Sequence, residues 1–249
     1  MTTTHTQIEI KTEDGMCPAH VMHPEGAGPW PGVLFFMDGI GMRPALVKMA
    51  ERLAAAGYYV LMPDLFYRGG AYTAPDPKKL FADPEMQKAW WPKIGMHASI
   101  DKIMRDLPAF FAHFDAQKSV RNSKKLGATG YCMGGRLALA AAGHFPERFA
   151  ATAAYHPGNL ANDAPDSPHL LASKIKARVY VGGAMEDQSF SDEQKQRLEQ
   201  ALTAAHVDHV IETYQCRHGW VPSDTPVHDH AGAEKHWSTL TGLFQQTLR

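Results

Sequence analysis

Apolar positions along this chain fall into short runs that switch between two periods. Gly32–Met37 (GVLFFM) is apolar without interruption, the pattern of a strand buried on both faces of a parallel sheet. Pro44 then opens a stretch in which Val47, Ala50, Leu53 and Ala54 recur at helical spacing until Gly57 ends it. Tyr58–Met62 (YYVLM) is apolar again and stops at Pro63-Asp64. The alternation resumes later, with strands expected at Lys125–Tyr131, Ala150–Tyr155, Arg178–Gly182 and Asp208–Tyr214. Helices are expected between and after them, at Gly135–Gly143, Asp192–Ala205 and Ala233–Leu248, the last with Trp237, Leu240 and Phe244 inward. Near the start, Gln7–Lys11 and Pro18–Met22 flank the turn signal Glu13-Asp14-Gly15 and predict an edge hairpin. Strand and helix alternating throughout predict an α/β fold, a mainly parallel sheet with helices on both faces, in one domain over residues 1–249.

Residues 67–95 break the rhythm. They hold Pro75, Pro77, Pro84 and Pro92, three glycines and the Trp90-Trp91 pair, and are expected to be an irregular lid or substrate-binding insertion. After them Ile100, Ile103, Met104, Leu107, Phe111 and Phe114 mark an amphipathic helix, in which Pro108 predicts a kink.

Composition narrows the function. The 249 residues are 44% hydrophobic, enough for a buried core. Lys plus Arg (25) nearly balances Asp plus Glu (26), without the basic excess or clustered face of a nucleic-acid binder. No apolar run approaches the ~18 residues of a membrane span. The polar opening MTTTHTQIEIKTEDG lacks the basic and apolar regions of a secretory signal. Three widely spaced cysteines, Cys17, Cys132 and Cys216, argue against a disulfide framework, so a cytoplasmic setting is expected.

The candidate chemistry centres on Gly130-Tyr131-Cys132-Met133-Gly134-Gly135, between an expected strand and an expected helix. This is the G-x-nucleophile-x-G turn, with cysteine where serine is usual. The glycines remove side chains that would collide in so sharp a turn. The helix start directs N–H groups and a positive dipole end at the thiol. In an α/β-hydrolase fold the acid and then the histidine follow the nucleophile, each beyond a later strand. Asp187 closes RVYVGGAMED and His218 closes HVIETYQCRHG, in that order. Among the other histidines (His144, His169, His206 and His209 included), His156 is the serious rival, since it follows the strand ATAAY at its carboxyl end. Asp163 and Asp166 fall in a loop expected at the wrong end of the sheet. Backbone N–H groups of Met133 and Gly39 are the expected oxyanion donors. His228-x-His230 has no accompanying metal-ligand spacing, so no metal or other cofactor is expected.

GYCMGG, PDLFYR, VGGAMEDQ and RHGW, in this order over nearly the whole chain, resemble the dienelactone hydrolase family. The resemblance implies an α/β-hydrolase fold, a Cys-Asp-His triad on Cys132, Asp187 and His218, no metal, and hydrolysis of a lactone or related small ester. It also implies a thiol-modulating carboxylate at Asp38, where the best-known members have glutamate. Those members place an arginine four residues after the histidine to hold the substrate carboxylate; here that position is Pro222. Arg43, Arg68 and Arg136 are candidate replacements. Tyr67, Trp90, Trp91 and Trp220, with His156, are candidate walls of an aromatic pocket. The expected partner is a small ester or lactone, with no nucleic acid and no membrane, and the choice of monomer or homodimer stays open. Two other readings stand beside this one: a thiol redox protein using Cys132, and a non-catalytic binding module on a hydrolase scaffold.

Overall fold

Strand pairing follows the predicted alternation. In the computed structural model, which describes residues 1–121 and 125–249, the described residues form one eight-stranded sheet. At one edge β1 (Thr3–Thr12) and β2 (Gly15–Pro24) form the hairpin, each about twice the expected length, joined at Glu13-Asp14. β2 also pairs antiparallel with β4 (Tyr59–Pro63). Everything beyond is parallel: β4 to β3 (Gly32–Phe36), then β5 (Leu126–Tyr131), β6 (Phe149–Tyr155), β7 (Arg178–Ala184) and β8 (His209–Tyr214). β3, β4 and β5 are buried along their whole length, which is why β3 and β4 are continuous apolar runs rather than alternations and β5 departs from apolar or glycine only at the buried Thr129.

Helices cover both faces. A side chain at Gly127 would meet Phe244 and Leu248 of α8 (His230–Leu248), whereas at Gly32 it would meet Leu126 and Phe114 of α5 (Ile100–Ala116). Leu126 and Gly127 are strand neighbours and so point to opposite faces. α1 (Pro44–Ala55) lies beside α8, joined through Arg52 and Glu234. α6 (Met133–His144) lies with α5, and α7 (Asp192–Ala204) follows β7. α5 runs through Pro108 to Ala116 without a break. Pro108 is on the exposed side, where the carbonyl it leaves unpaired can reach water.

The insertion departs from expectation. Instead of irregular chain it contains α2 (Pro77–Ala82), α3 (Pro84–Trp90) and α4 (Pro92–His97). Three of the prolines read as breakers are in fact first residues of helices, where a missing N–H costs nothing. Asp76 and Asp83 cap the first two by accepting bonds from Lys78 N–H and from Glu85 and Met86 N–H. No helix among the described residues is long and apolar enough to cross a membrane.

Candidate active site

The carboxyl ends of the parallel strands converge on one side of the sheet, where reactive groups collect in folds of this kind. β5 delivers Cys132 there through a turn its neighbours barely admit. A Cβ at Gly130 would sit 2.0 Å from the Gly134 carbonyl oxygen, and one at Gly134 would sit 2.3 Å from the Phe36 carbonyl oxygen. Only glycine fits either position. Cys132 itself has φ +53°, a conformation costing a side-chain-bearing residue on the order of 1–3 kcal/mol. The strain is held by Cys132 N–H donating to Tyr155 O at 3.1 Å and by its own carbonyl, which accepts from Gly135 N–H.

Beyond β7, Asp187 is buried and held by Ser189, whose N–H and hydroxyl both donate to Oδ1 at 2.9 and 2.6 Å. Its Oδ2 accepts from His218 Nδ1 at 2.8 Å. Burial pushes the Asp187 carboxyl up, but the bonds from His218 and Ser189 outweigh it and hold it below the ordinary range. Cys132 and the His218 ring line the same cavity, and the sulfur is near enough to act on the acidity of the ring. Burial works to lower the His218 pKa, yet the neighbouring Cys132 sulfur and the Asp187 carboxylate overcome it and raise it to about 10. Cys132, His218 and Asp187 are thus brought together. Glu186 is exposed and lies off this line.

His156, the rival, borders the same cavity but does not touch the acid. Its ring packs edge-on against His218 (centroids 5.2 Å apart) and against Trp220 (5.0 Å), with both nitrogens buried and unpartnered. Burial, with His218 nearby, pushes its pKa well down. It is a neutral wall behind the catalytic candidate.

A cavity of about 590 Å³ opens over Cys132 and His218. Its wall is mainly apolar, with Phe81, Trp91, Ile94, Ile100, Met133 and Leu137 prominent. Gly39 and Asp38 line it from the loop after β3, and Arg136 and Asp166 from the other side. The N–H groups of Gly39 and Met133 donate to no protein acceptor among the described residues. Asp166 corrects the expectation that its loop lies at the wrong end: the chain after β6 stays over the carboxyl ends, and Arg136 Nη2 donates to Asp166 Oδ1 at 2.9 Å.

Five candidate substrate contacts sit elsewhere. Trp90 is buried and donates its indole N–H to Gly39 O at 2.9 Å, so it supports the loop rather than the substrate. Trp220 is fully buried and stacks on Tyr214. Tyr67 bonds Thr12 and Asp106, and Arg68 pairs with Asp14 and Asp106, because both brace the insertion against β1 and α5. Arg43 is buried between two carboxylates. Its Nη1 and Nη2 donate to Asp38 at 2.7 and 2.8 Å, and its Nε and Nη2 to Asp224 at 2.7 and 3.2 Å. The Asp38 carboxylate therefore faces Arg43, and among the described residues it makes no hydrogen bond to the Cys132 sulfur. Ser189 and Asp224 escaped the sequence reading. Asp187-x-Ser189 is a readable Asx-type turn, whereas nothing local marks Asp224, 181 residues from Arg43.

Sheet order, elbow and cavity define an α/β-hydrolase. The model of the dienelactone hydrolase family matches residues 17–248, and the chain belongs to that family and is a hydrolase. A Methylorubrum extorquens protein provisionally named carboxymethylenebutenolidase is 28% identical over 247 residues, covering 96% of this chain and 80% of its own. The carboxymethylenebutenolidase of Rhodococcus opacus is 25% identical over 252 residues, covering 99% and 94%. Among solved structures, a Klebsiella pneumoniae protein provisionally named dienelactone hydrolase superposes with a TM-score of 0.84 at 22% identity, over 99% of this chain and 100% of that one. That last likeness is one of fold.

Proposed function

We propose that this protein hydrolyses a lactone or small carboxylic ester through a thioester on Cys132. The observation that carries the reading is the His218 ring, bonded to Asp187 through Nδ1 and sharing one cavity with Cys132, whose sulfur raises its pKa. The Cys132 thiolate attacks the carbonyl carbon while the imidazolium of His218 keeps the thiol proton. The tetrahedral oxyanion is met by the N–H groups of Met133 and Gly39, neither of which has a protein acceptor among the described residues. When the carbon–oxygen bond breaks, His218 gives its proton to the departing alkoxide. In a lactone that oxygen stays on the same molecule as a hydroxyl. Neutral His218 then takes a proton from water, hydroxide attacks the thioester carbonyl, and the acid is released as His218 returns the proton to sulfur. Asp187 fixes the ring and stabilises its charged form throughout. The names of the relatives support the substrate class.

The test is turnover of a neutral butenolide and of p-nitrophenyl butyrate by the protein and by Cys132→Ala. Loss of at least a thousandfold in kcat is expected, with an acyl adduct on Cys132 seen by mass spectrometry after rapid quench of the parent protein. Turnover that survives in Cys132→Ala overturns the reading, as does peroxide reduction through Cys132 in the absence of ester cleavage.

A further inference from the structure

The charges around the cavity bear on which substrate it accepts, an inference that rests on the ester-hydrolase reading above. A guanidinium has five N–H donors. Those of Arg43 are all engaged: one by Gly41 O at 3.2 Å, two by Asp38 and two by Asp224. This arginine ties the loop carrying Gly39 to the loop that follows His218, and it has no donor left for a ligand. It is also outnumbered. Asp38, Asp224 and Arg43 together carry one net negative charge, with Asp38 on the cavity wall beside Cys132. The His218–Asp187 pair is balanced, and so is Arg136 with Asp166 at the opposite wall. Among the described residues no guanidinium or ammonium borders the cavity without a carboxylate partner. The rest of the wall is mainly hydrocarbon and aromatic.

From this we infer that the cavity selects an uncharged ester or lactone and rejects one bearing a carboxylate. Position 222 is a proline, and Arg43 is a structural tie between two acids. A substrate carboxylate inside this cavity loses its water, finds among the described residues no cation without a carboxylate partner, and gains nothing from Arg43, whose donors are all spent. Among the described residues Arg136 is the one latent anchor on the cavity wall: its Nη2 donates to Asp166, while its Nε is buried with no partner.

Two esters that differ only in the end group read this directly, p-nitrophenyl hexanoate and the mono-p-nitrophenyl ester of adipic acid. The parent protein is expected to favour the hexanoate by at least about tenfold in kcat/KM. In Asp166→Asn the ratio should move toward the adipate by roughly tenfold, because Arg136 is uncovered. Asp163→Asn, which removes an exposed acid that pairs with Arg197 and does not line the cavity, should leave the ratio where it was. Preference for the adipate in the parent protein, or a ratio that Asp166→Asn does not move, overturns the inference. If neither ester is cleaved, the proposed reaction fails separately. Selection by charge is then read from tryptophan fluorescence titrated with hexanamide and with adipic acid monoamide, and tighter binding of the monoamide overturns it.

Discussion

The turn that carries Cys132 and the three short helices that roof the cavity face the same space but are held in place by different means. At the turn, backbone meets backbone: Gly130 against Gly134, and Gly134 against the end of β3, with no room for one further carbon. The roof hangs on a few side-chain bonds. Trp90 reaches Gly39 O, and the Tyr72 hydroxyl accepts from Met42 N–H and donates to Asp64, each at 2.9 Å. Backbone packing of the first kind has no intermediate settings, whereas bonds of the second kind can be removed singly. Substitutions at the turn should therefore act all-or-none on folding, and substitutions in the roof should grade activity.

Gly130→Ala is the severest test of that contrast. Its methyl would lie 2.0 Å from a carbonyl oxygen that the first turn of α6 holds in place. A loss of more than about 4 kcal/mol is expected, seen as insoluble protein or a collapsed melting temperature. A variant that melts with the parent would show that the turn yields after all, and the contrast with the roof would disappear.

Acidity separates two histidines near the turn by sign. His236 is buried beneath β5 with Nε2 2.9 Å from the Tyr131 hydroxyl, and burial lowers its pKa to about 3. The unfolded chain takes up that proton near pH 6.5 and the fold does not. Stability from this group is therefore present above pH 6.5 and lost as pH falls toward 3. His218 behaves oppositely. Its proton is kept up to about pH 10, so its contribution is full below pH 6.5 and fades as pH rises through 10. Denaturant midpoints should therefore fall on both sides of neutrality. For His236 the loss between pH 6.5 and 4 is about 3 kcal/mol. His236→Asn should remove that share of the acid slope and leave the alkaline limb intact. An unchanged acid limb would mean that other groups govern it.

The same contrast explains what the amino-acid sequence reveals. Gly130, Cys132 and Gly134 are readable because their constraint is steric and local, and the order Cys132, Asp187, His218 is readable because parallel strands end on one side. The roof was misread because a proline looks alike whether it breaks a helix or begins one. What separates the two is the residue before it, and Asp76 and Asp83 are caps. Least legible was the tie from Arg43 to Asp224. Its partners are distant in sequence and acquire meaning only once two loops meet. Trp90 shows the same limit: aromatic residues in an insertion suggest a pocket wall, but an indole N–H can equally serve the backbone of a neighbouring loop.

Removing that N–H gives the mildest effect and the finest distinction. In Trp90→Phe the ring still fills the space beside Phe66 and Tyr72, with which Trp90 now makes contacts at centroid separations of 6.2 and 5.9 Å. The one hydrogen bond lost is that to Gly39 O. That leaves a buried carbonyl unpaired, which costs about 1–3 kcal/mol, and frees the peptide next to the Gly39 N–H assigned to the oxyanion. If the bond serves only the fold, the melting temperature drops and kcat stays. If it aims the Gly39 N–H, kcat falls about fivefold to tenfold with KM nearly constant, because the oxyanion exists in the transition state and not in the bound ester. The second outcome is expected. It would make the roof part of the catalytic apparatus through one hydrogen bond, with a graded effect that no substitution at Gly130 can produce.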